Sequence, residues 1–260
     1  MIVLAQKNFD TIAFMRESWP RTSFVVIGAT ALAIRGHAPP RRSDDVDLAV
    51  AVEPEELSSL REALRPAGWE DVRRQPHRWR HYQLGLSADV VPAGANPGAT
   101  SEVQLARGLV IDLRGLDVAL AKAEDVAVIC EGDESRMTTA PTPPLPVLML
   151  LKMIAYVDKP TIREKDAADV GRVMLRYLGE DDERRWDPPQ STVYDEDLKG
   201  ACALGADMHS FLSPAYRRLV ELFMDSPIVR GELDRQAPFP NAGEGLVRAF
   251  YAGLEFRGPV

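Results

Sequence analysis

Three aspartates are the residues whose type and spacing best suit them for chemistry. Asp45 and Asp47 are separated only by Val46, within the alternating run DVDLAVAV. In an extended strand, residues two apart project from one face, so the two carboxylates stand together while Val46 turns to the core. Adjacent carboxylates repel each other unless a cation lies between them. Magnesium prefers hard oxygen ligands and takes one or two carboxylates together with substrate phosphates, which this pair offers. Asp89, between Ala88 and Val90 in the separate strand-like run YQLGLSADVVP, adds a third carboxylate and the means to hold two metals. The bland alternative is that aspartates at the start of a strand are simply solvated, as Asp44 is expected to be.

The elements that must position these residues show in the patterning. FVVIGATALAIRG reads as a strand from Phe24 to Ile27, a turn at Gly28 and a helix-like run from Ala29 to Ile34. The next loop holds Pro39 and Pro40, which cannot continue a helix, and a strand from Asp45 to Val52 follows. A helix is expected from Glu53 through Leu64, ending near Gly68. The basic stretch from Arg73 to His81 (RRQPHRWRH) lies just upstream of the Asp89 strand. Bordering a cleft, Arg73, Arg74, Arg78 and Arg80 would receive an RNA backbone while Trp79 stacks on an unpaired base; the competing reading is a solvated loop with a packed Trp79. After the polar loop PAGANPGATSE come strands near Leu109 to Leu113 and Val126 to Cys130.

From Glu131 to Pro146 the chain turns polar and proline-rich, which marks a boundary or crossing segment between an α/β domain, residues 1–140, and a mainly helical domain, residues 141–260. Leu145 to Tyr156 is an apolar helix with a single lysine, Lys152. Arg163 to Leu178 has helical spacing, and LKGACALGADM, PAYRRLVELFMD and EGLVRAFYAGL read as three more helices. A lone lysine in an apolar helix is ordinarily a snorkelling surface residue. Arg163, Lys165, Asp166 and Asp169 read most simply as exposed ion pairs at i,i+3 and i,i+4.

The 260 residues suffice for a substantial core, and 45% hydrophobic with 27% charged residues is an ordinary globular balance. A net charge of −8 excludes a protein that coats nucleic acid with its whole surface, but leaves room for a local basic groove. No apolar run approaches the roughly 20 residues that cross a bilayer, and the first residues lack the features of a signal peptide, so a cytoplasmic protein without a membrane partner is expected. Cys130 and Cys202 lie in apolar stretches and are expected to be buried free thiols. The four histidines show no metal-ligand spacing, so zinc is not expected.

The succession GATALAIRG, RRSDDVDL and ADVV resembles the minimal nucleotidyltransferases of the DNA polymerase β superfamily, and within it the AbiEii and MenT type toxins of toxin–antitoxin systems. LLKMIAYVDKPTIREKDAADV is similar to that group's downstream Lys, Arg-x-Lys-Asp element, and the matching segments span about Phe24 to Val170. The resemblance implies an α/β (α+β) fold, with a mixed-sheet nucleotidyltransferase domain followed by a mainly helical one. It implies Mg2+ or Mn2+ on Asp45, Asp47 and Asp89, with Asp89 also the base for the attacking hydroxyl. It places the triphosphate on Gly28, Ala29 and Thr30 at a helix N-terminus, adds Lys152 and Arg163 as nucleotide contacts, and counts Lys152 and Asp166 in the catalytic set. The implied reaction moves a nucleotide from a nucleoside triphosphate, ATP among them, to a hydroxyl. The 3′ end of transfer RNA, or another RNA near Arg73, Arg78 and Arg80, is one acceptor, and a cognate antitoxin is an implied partner. A protein or small-molecule hydroxyl suits the same chemistry, and a non-catalytic nucleotide-binding module of the same fold is the rival from another class. One position departs from the pattern. Where the family commonly has Gly-Ser or Gly-Gly, this chain has Gly28-Ala29-Thr30, so Thr30 or the backbone must supply the contact that Ala29 cannot.

Overall fold

The three aspartates sit on or beside two of the inner strands of a five-stranded mixed sheet. The computed structural model describes residues 2–39, 43, 45–73, 75–94, 101–106, 109–237, 239 and 241–257. Asp44, Arg74, residues 40–42 and residues 95–100 lie outside the described residues. Two compact units divide at Met1–Leu148 and Met149–Val260. The first contains β1 (Ile2–Leu4), α1 (Gln6–Ser18), β2 (Phe24–Ile27), α2 (Gly28–Ile34), β3 (Val46–Val50), α3 (Leu57–Leu64), β4 (Trp69–Val72), β5 (Gln75–His81) and β6 (Leu86–Pro92). It continues with β7 (Glu102–Ala106), β8 (Leu109–Asp112), α4 (Leu116–Ala121), β9 (Glu124–Cys130) and β10 (Asp133–Thr142). The main sheet has the order β2-β3-β6-β5-β4, with β3 and β6 parallel and the other neighbours antiparallel. A second sheet has the order β1-β9-β10, and β7 pairs with β8.

Alternation decides which face of the main sheet is core. Val46, Leu48, Val50, Ala88 and Val90 are all 0% exposed. Trp79 and Trp69 share their face, and α1 covers it: Trp19 meets Trp79 edge-on at 5.8 Å and Phe14 lies 5.5 Å from Trp69, centroid to centroid. Trp79 is fully buried, and its indole N–H donates to the Pro76 carbonyl at 2.9 Å. Truncating it to alanine would cost about 3–5 kcal/mol.

Two expectations fall here. The basic stretch is a strand, β5, rather than a loop, and Trp79 is no platform for an RNA base because the same period-2 alternation that turns Arg78 and Arg80 outward turns Trp79 into the core. The proline-rich segment from Glu131 is for most of its length β10, antiparallel to β9. As an edge strand with a largely exposed first half, it carries polar residues that read as a loop, and its Pro141 sits where a missing N–H is tolerated. The expected strand at Asp45 begins one residue later, and the helix expected from Glu53 is a short 3-10 turn, Pro54–Glu56, leading into α3.

The second unit is helical. The division falls within α5 (Leu145–Asp158), after which come α6 (Glu164–Arg176), α7 (Lys199–His209), α8 (Pro214–Met224), α9 (Pro227–Gln236) and α10 (Ala242–Glu255). Patterning alone does not show α9. Its start is nonetheless locally encoded, since Ser226 accepts from the Val229 N–H and Pro227 occupies the first turn, just as Ser213 and Pro214 open α8. α7 and α10 approach at backbone distance: a Cβ on Gly253 would lie 1.8 Å from the Cys202 carbonyl oxygen. Both cysteines are free and buried, as expected. No helix among the described residues is long and apolar enough to cross a membrane.

Candidate active site

Strand register assembles the site. Ile27 on β2 lies opposite Asp47 on β3, Asp47 opposite Asp89 on β6, and Asp89 opposite Arg78 on β5. Directly opposed residues share a face, so these four form one row across four strands, on the face away from Trp79 and α1. Asp45, two residues before Asp47, reaches the same row, with its Oδ2 2.8 Å from Arg78 Nη2. The side chains of Asp45, Asp89 and Arg78 are 33%, 16% and 27% exposed, two-thirds or more out of water yet open to a ligand.

Arg78 holds the row together electrostatically. Its Nε donates to Asp89 Oδ1 at 2.6 Å and its Nη2 to Asp89 Oδ2 at 2.5 Å, a bidentate fork, while the same Nη2 reaches Asp45. The hydrogen bond to Asp89 pushes the guanidinium well above even its ordinary range; desolvation opposes the shift, and the charges of Asp89, Asp45 and Asp47 add to it. Next to it, burial draws the His77 imidazole below its usual value against the opposing pull of Asp89, and its Nδ1 is buried without a hydrogen-bond partner.

Gly28 has a structural reason to be glycine. At φ 68 it opens α2 in the left-handed region, and a Cβ there would lie 2.0 Å from Asp47 Oδ2 and 2.8 Å from Asp47 Cγ. The carboxylate fills the space a side chain would need. Thr30 departs from its expected role. It is 1% exposed, accepts from Asn8 Nδ2 at 3.2 Å and directs its hydroxyl at the Asp45 carbonyl at 3.5 Å, which Ser43 Oγ also approaches at 3.1 Å. Its hydroxyl braces the residues leading into β3 and does not face outward for a phosphate. Among residues 28–30, only the backbone remains for that contact.

In the second unit, Lys152 is 8% exposed and donates to Asp166 Oδ1 at 2.8 Å and to Asp169 Oδ2 at 2.7 Å. This overturns the snorkelling reading, and the exposed-pair reading of Asp166 and Asp169 with it. The i,i+3 spacing sets both carboxylates on one face of α6, where α5 presents the ammonium. Arg172 also pairs with Asp169. Arg163 lies 3.6 Å from Asp166 Oδ2, an ion pair too long for a hydrogen bond, which leaves that buried oxygen without one. Lys165 is exposed.

Among the described residues, no three His, Cys, Asp or Glu side chains converge in a preformed metal cage. The carboxylate row is held instead by the Arg78 cation. The spacing of the sequence offered no sign of this role; the outward phase of Arg78 opposite Trp79 in HRWRH was the one available signal.

Residues 14–187, well over half of the chain, match the family described as Nucleotidyl transferase AbiEii toxin, Type IV TA system. The chain belongs to the AbiEii nucleotidyltransferase family. The matched stretch contains Gly28, Asp45, Asp47, Arg78, Asp89, Lys152 and Asp166, and nucleotidyl transfer is the reaction class of this AbiEii enzyme. The family's toxin–antitoxin description suggests a nucleotide substrate and an antitoxin partner. A solved structure described as an antigenic nucleotidyltransferase-like protein from Paracoccidioides brasiliensis is similar at 13% identity, covering 87% of this chain and 92% of that one with a TM-score of 0.45. A search of curated proteins finds no match.

Proposed function

We propose that this AbiEii chain is a toxin that transfers a nucleotide from a nucleoside triphosphate to an RNA hydroxyl, using a divalent metal held by Asp45, Asp47 and Asp89. The observation that supports this reading is the row itself: Asp47 and Asp89 opposed across parallel strands, with Asp45 reaching the same cation-binding face. The donor set fits Mg2+ or Mn2+, being all carboxylate oxygen, partly open to solvent and already stabilising a positive charge in the form of Arg78. Bound there, the metal would offset phosphate charge and favour the ionised acceptor hydroxyl. Asp89, at the centre of the row, is the base that takes the proton of that hydroxyl. The backbone at the start of α2, residues 28–30, is the part of this segment assigned to the triphosphate. In the second unit, the Lys152 ammonium on Asp166 fixes α5 against α6.

For the acceptor, Arg73 and Arg80 are the exposed cations among the described residues of the basic stretch, Arg80 lying two residues beyond Arg78 on the same face. Arg78 is engaged with carboxylates and drops out of the RNA surface. Transfer RNA is the acceptor we test first, and the cytoplasm, where triphosphate and RNA meet, is the proposed compartment. Purified protein incubated with each α-labelled nucleoside triphosphate and total RNA should label RNA only when Mg2+ or Mn2+ is present, and Asp47→Asn should abolish labelling. Neutralising Arg73 and Arg80 together should flatten the slope of log RNA affinity against log salt by about 1.4, at roughly 0.7 per single-strand phosphate contact. Metal-independent labelling would overturn the metal reading. Label appearing only in a protein or small molecule would move the acceptor to that class.

A further inference from the structure

We infer that Arg78 is a resident counter-cation of the carboxylate site, displaced when a divalent ion binds, and so a positioning residue that sets how tightly the site takes metal. The inference rests on the assignment of Asp45, Asp47 and Asp89 as the metal carboxylates. Both oxygens of Asp89 and one of Asp45 already accept from this guanidinium, at 2.6, 2.5 and 2.8 Å. A divalent ion that used Asp89 would share its carboxylate with a charge of the same sign, in a site largely removed from water where repulsion is poorly screened. The guanidinium must therefore leave Asp89 for the ion to enter. Its strand fixes it in this competition. Arg78 is the register partner of Asp89, so its Cα cannot retreat without breaking the β5–β6 ladder, and release has to occur by side-chain rotation alone.

The arrangement solves a folding problem as well. Three carboxylates on one face would repel each other in the metal-free protein, and a planar five-donor fork neutralises part of that charge while holding Asp45 and Asp89 in a defined orientation. Freed by metal, the same fork matches phosphate oxygens as well as it matches carboxylate. The site thus exchanges one cation for another and releases an arginine to the polyphosphate side of the reaction.

The test counts free Mn2+ by electron paramagnetic resonance in titrations of wild type, Arg78→Gln, Arg78→Lys and Asp89→Asn, with no nucleotide present. Arg78→Gln should bind Mn2+ about tenfold more tightly or better, about 1.4 kcal/mol, because nothing has to be displaced. Arg78→Lys, which keeps the charge but loses the fork, should fall between it and wild type. Asp89→Asn should bind least. Mn2+ should also raise the melting temperature of Arg78→Gln more than that of wild type. If Arg78→Gln binds Mn2+ no better than wild type while wild type binds measurably and Asp89→Asn does not, Arg78 is no competitor and the inference is overturned with the carboxylate site intact. If Asp89→Asn binds as wild type does, or none of the four proteins binds Mn2+, the metal assignment itself fails, and the inference with it. Should Arg78→Gln not fold, the lysine variant decides: affinity equal to wild type overturns the competition.

Discussion

Replacing Gly28 by alanine separates two effects that a single glycine combines. The first is backbone strain: a residue with a Cβ at φ 68 costs about 1–2 kcal/mol in the left-handed region. The second is collision. The new Cβ would lie 2.0 Å from Asp47 Oδ2, where real Cβ contacts stay beyond 3.0 Å, so the carboxylate must retreat by about 1 Å or more or rotate away from Asp89. A misplacement of that size costs on the order of 100-fold in rate, whereas strain by itself costs stability only. Gly36→Ala supplies the control, because Gly36 has φ 79 with nothing among the described residues within 4 Å of its would-be Cβ. Both variants should melt about 2–8 °C below wild type, the shift expected for such strain in a unit of this size. Only Gly28→Ala should lose labelled-nucleotide transfer, by about 100-fold, and bind Mn2+ more weakly. Circular dichroism melts, the transfer assay and the Mn2+ titration read the three quantities separately. Gly28→Ala with wild-type transfer and Mn2+ affinity would refute the reasoning, since the Asp47 carboxylate would then not be needed where the structure holds it.

Lys152→Met leaves Asp166 and Asp169, 3% and 1% exposed, without their shared ammonium, and should cost about 3–5 kcal/mol in denaturant unfolding, with partial recovery in Lys152→Met/Asp166→Asn. A stability equal to wild type would show that the network adds nothing to the fold. Burial pushes the Cys202 thiol up to about 11, and its thiolate fraction at pH 8 is then about one in a thousand, so iodoacetamide should modify it in the native protein far more slowly than in the guanidinium-unfolded chain. Labelling at the rate of a free cysteine would show that α7 opens readily. Asp47→Asn and Asp89→Asn should both abolish transfer, and Asp89→Asn, which takes the charge from the bidentate pair with Arg78, should also lower the melting temperature; an unchanged melting temperature in Asp89→Asn would show that this pair adds nothing to the fold.

What the amino-acid sequence determined by itself was local. The period-2 rule was enough to set Asp45 and Asp47 on one side, a glycine after FVVI marked the strand-to-helix turn, and apolar surroundings implied that both cysteines are buried. The spacing of Asp-x-Asp with a later carboxylate, together with the downstream lysine element, carried the resemblance to a nucleotidyltransferase family that the match over residues 14–187 bears out. Tertiary structure decided the rest, because it depends on partners distant in the chain. Register between strands is set by how whole faces bury, and it is this that brings Asp89 opposite Asp47 across the parallel pair and Arg78 opposite Asp89 across the antiparallel one. Burial of Lys152 depends on α6 lying against α5, and no pattern within the apolar helix distinguishes a lysine that reaches solvent from one that meets two aspartates. β10 looked like a boundary because edge strands keep their polar residues, and its pairing with β9 is visible only when the hairpin is formed. Hydrophobic period records which way a side chain points; what it meets there is settled only by the packing of the other elements.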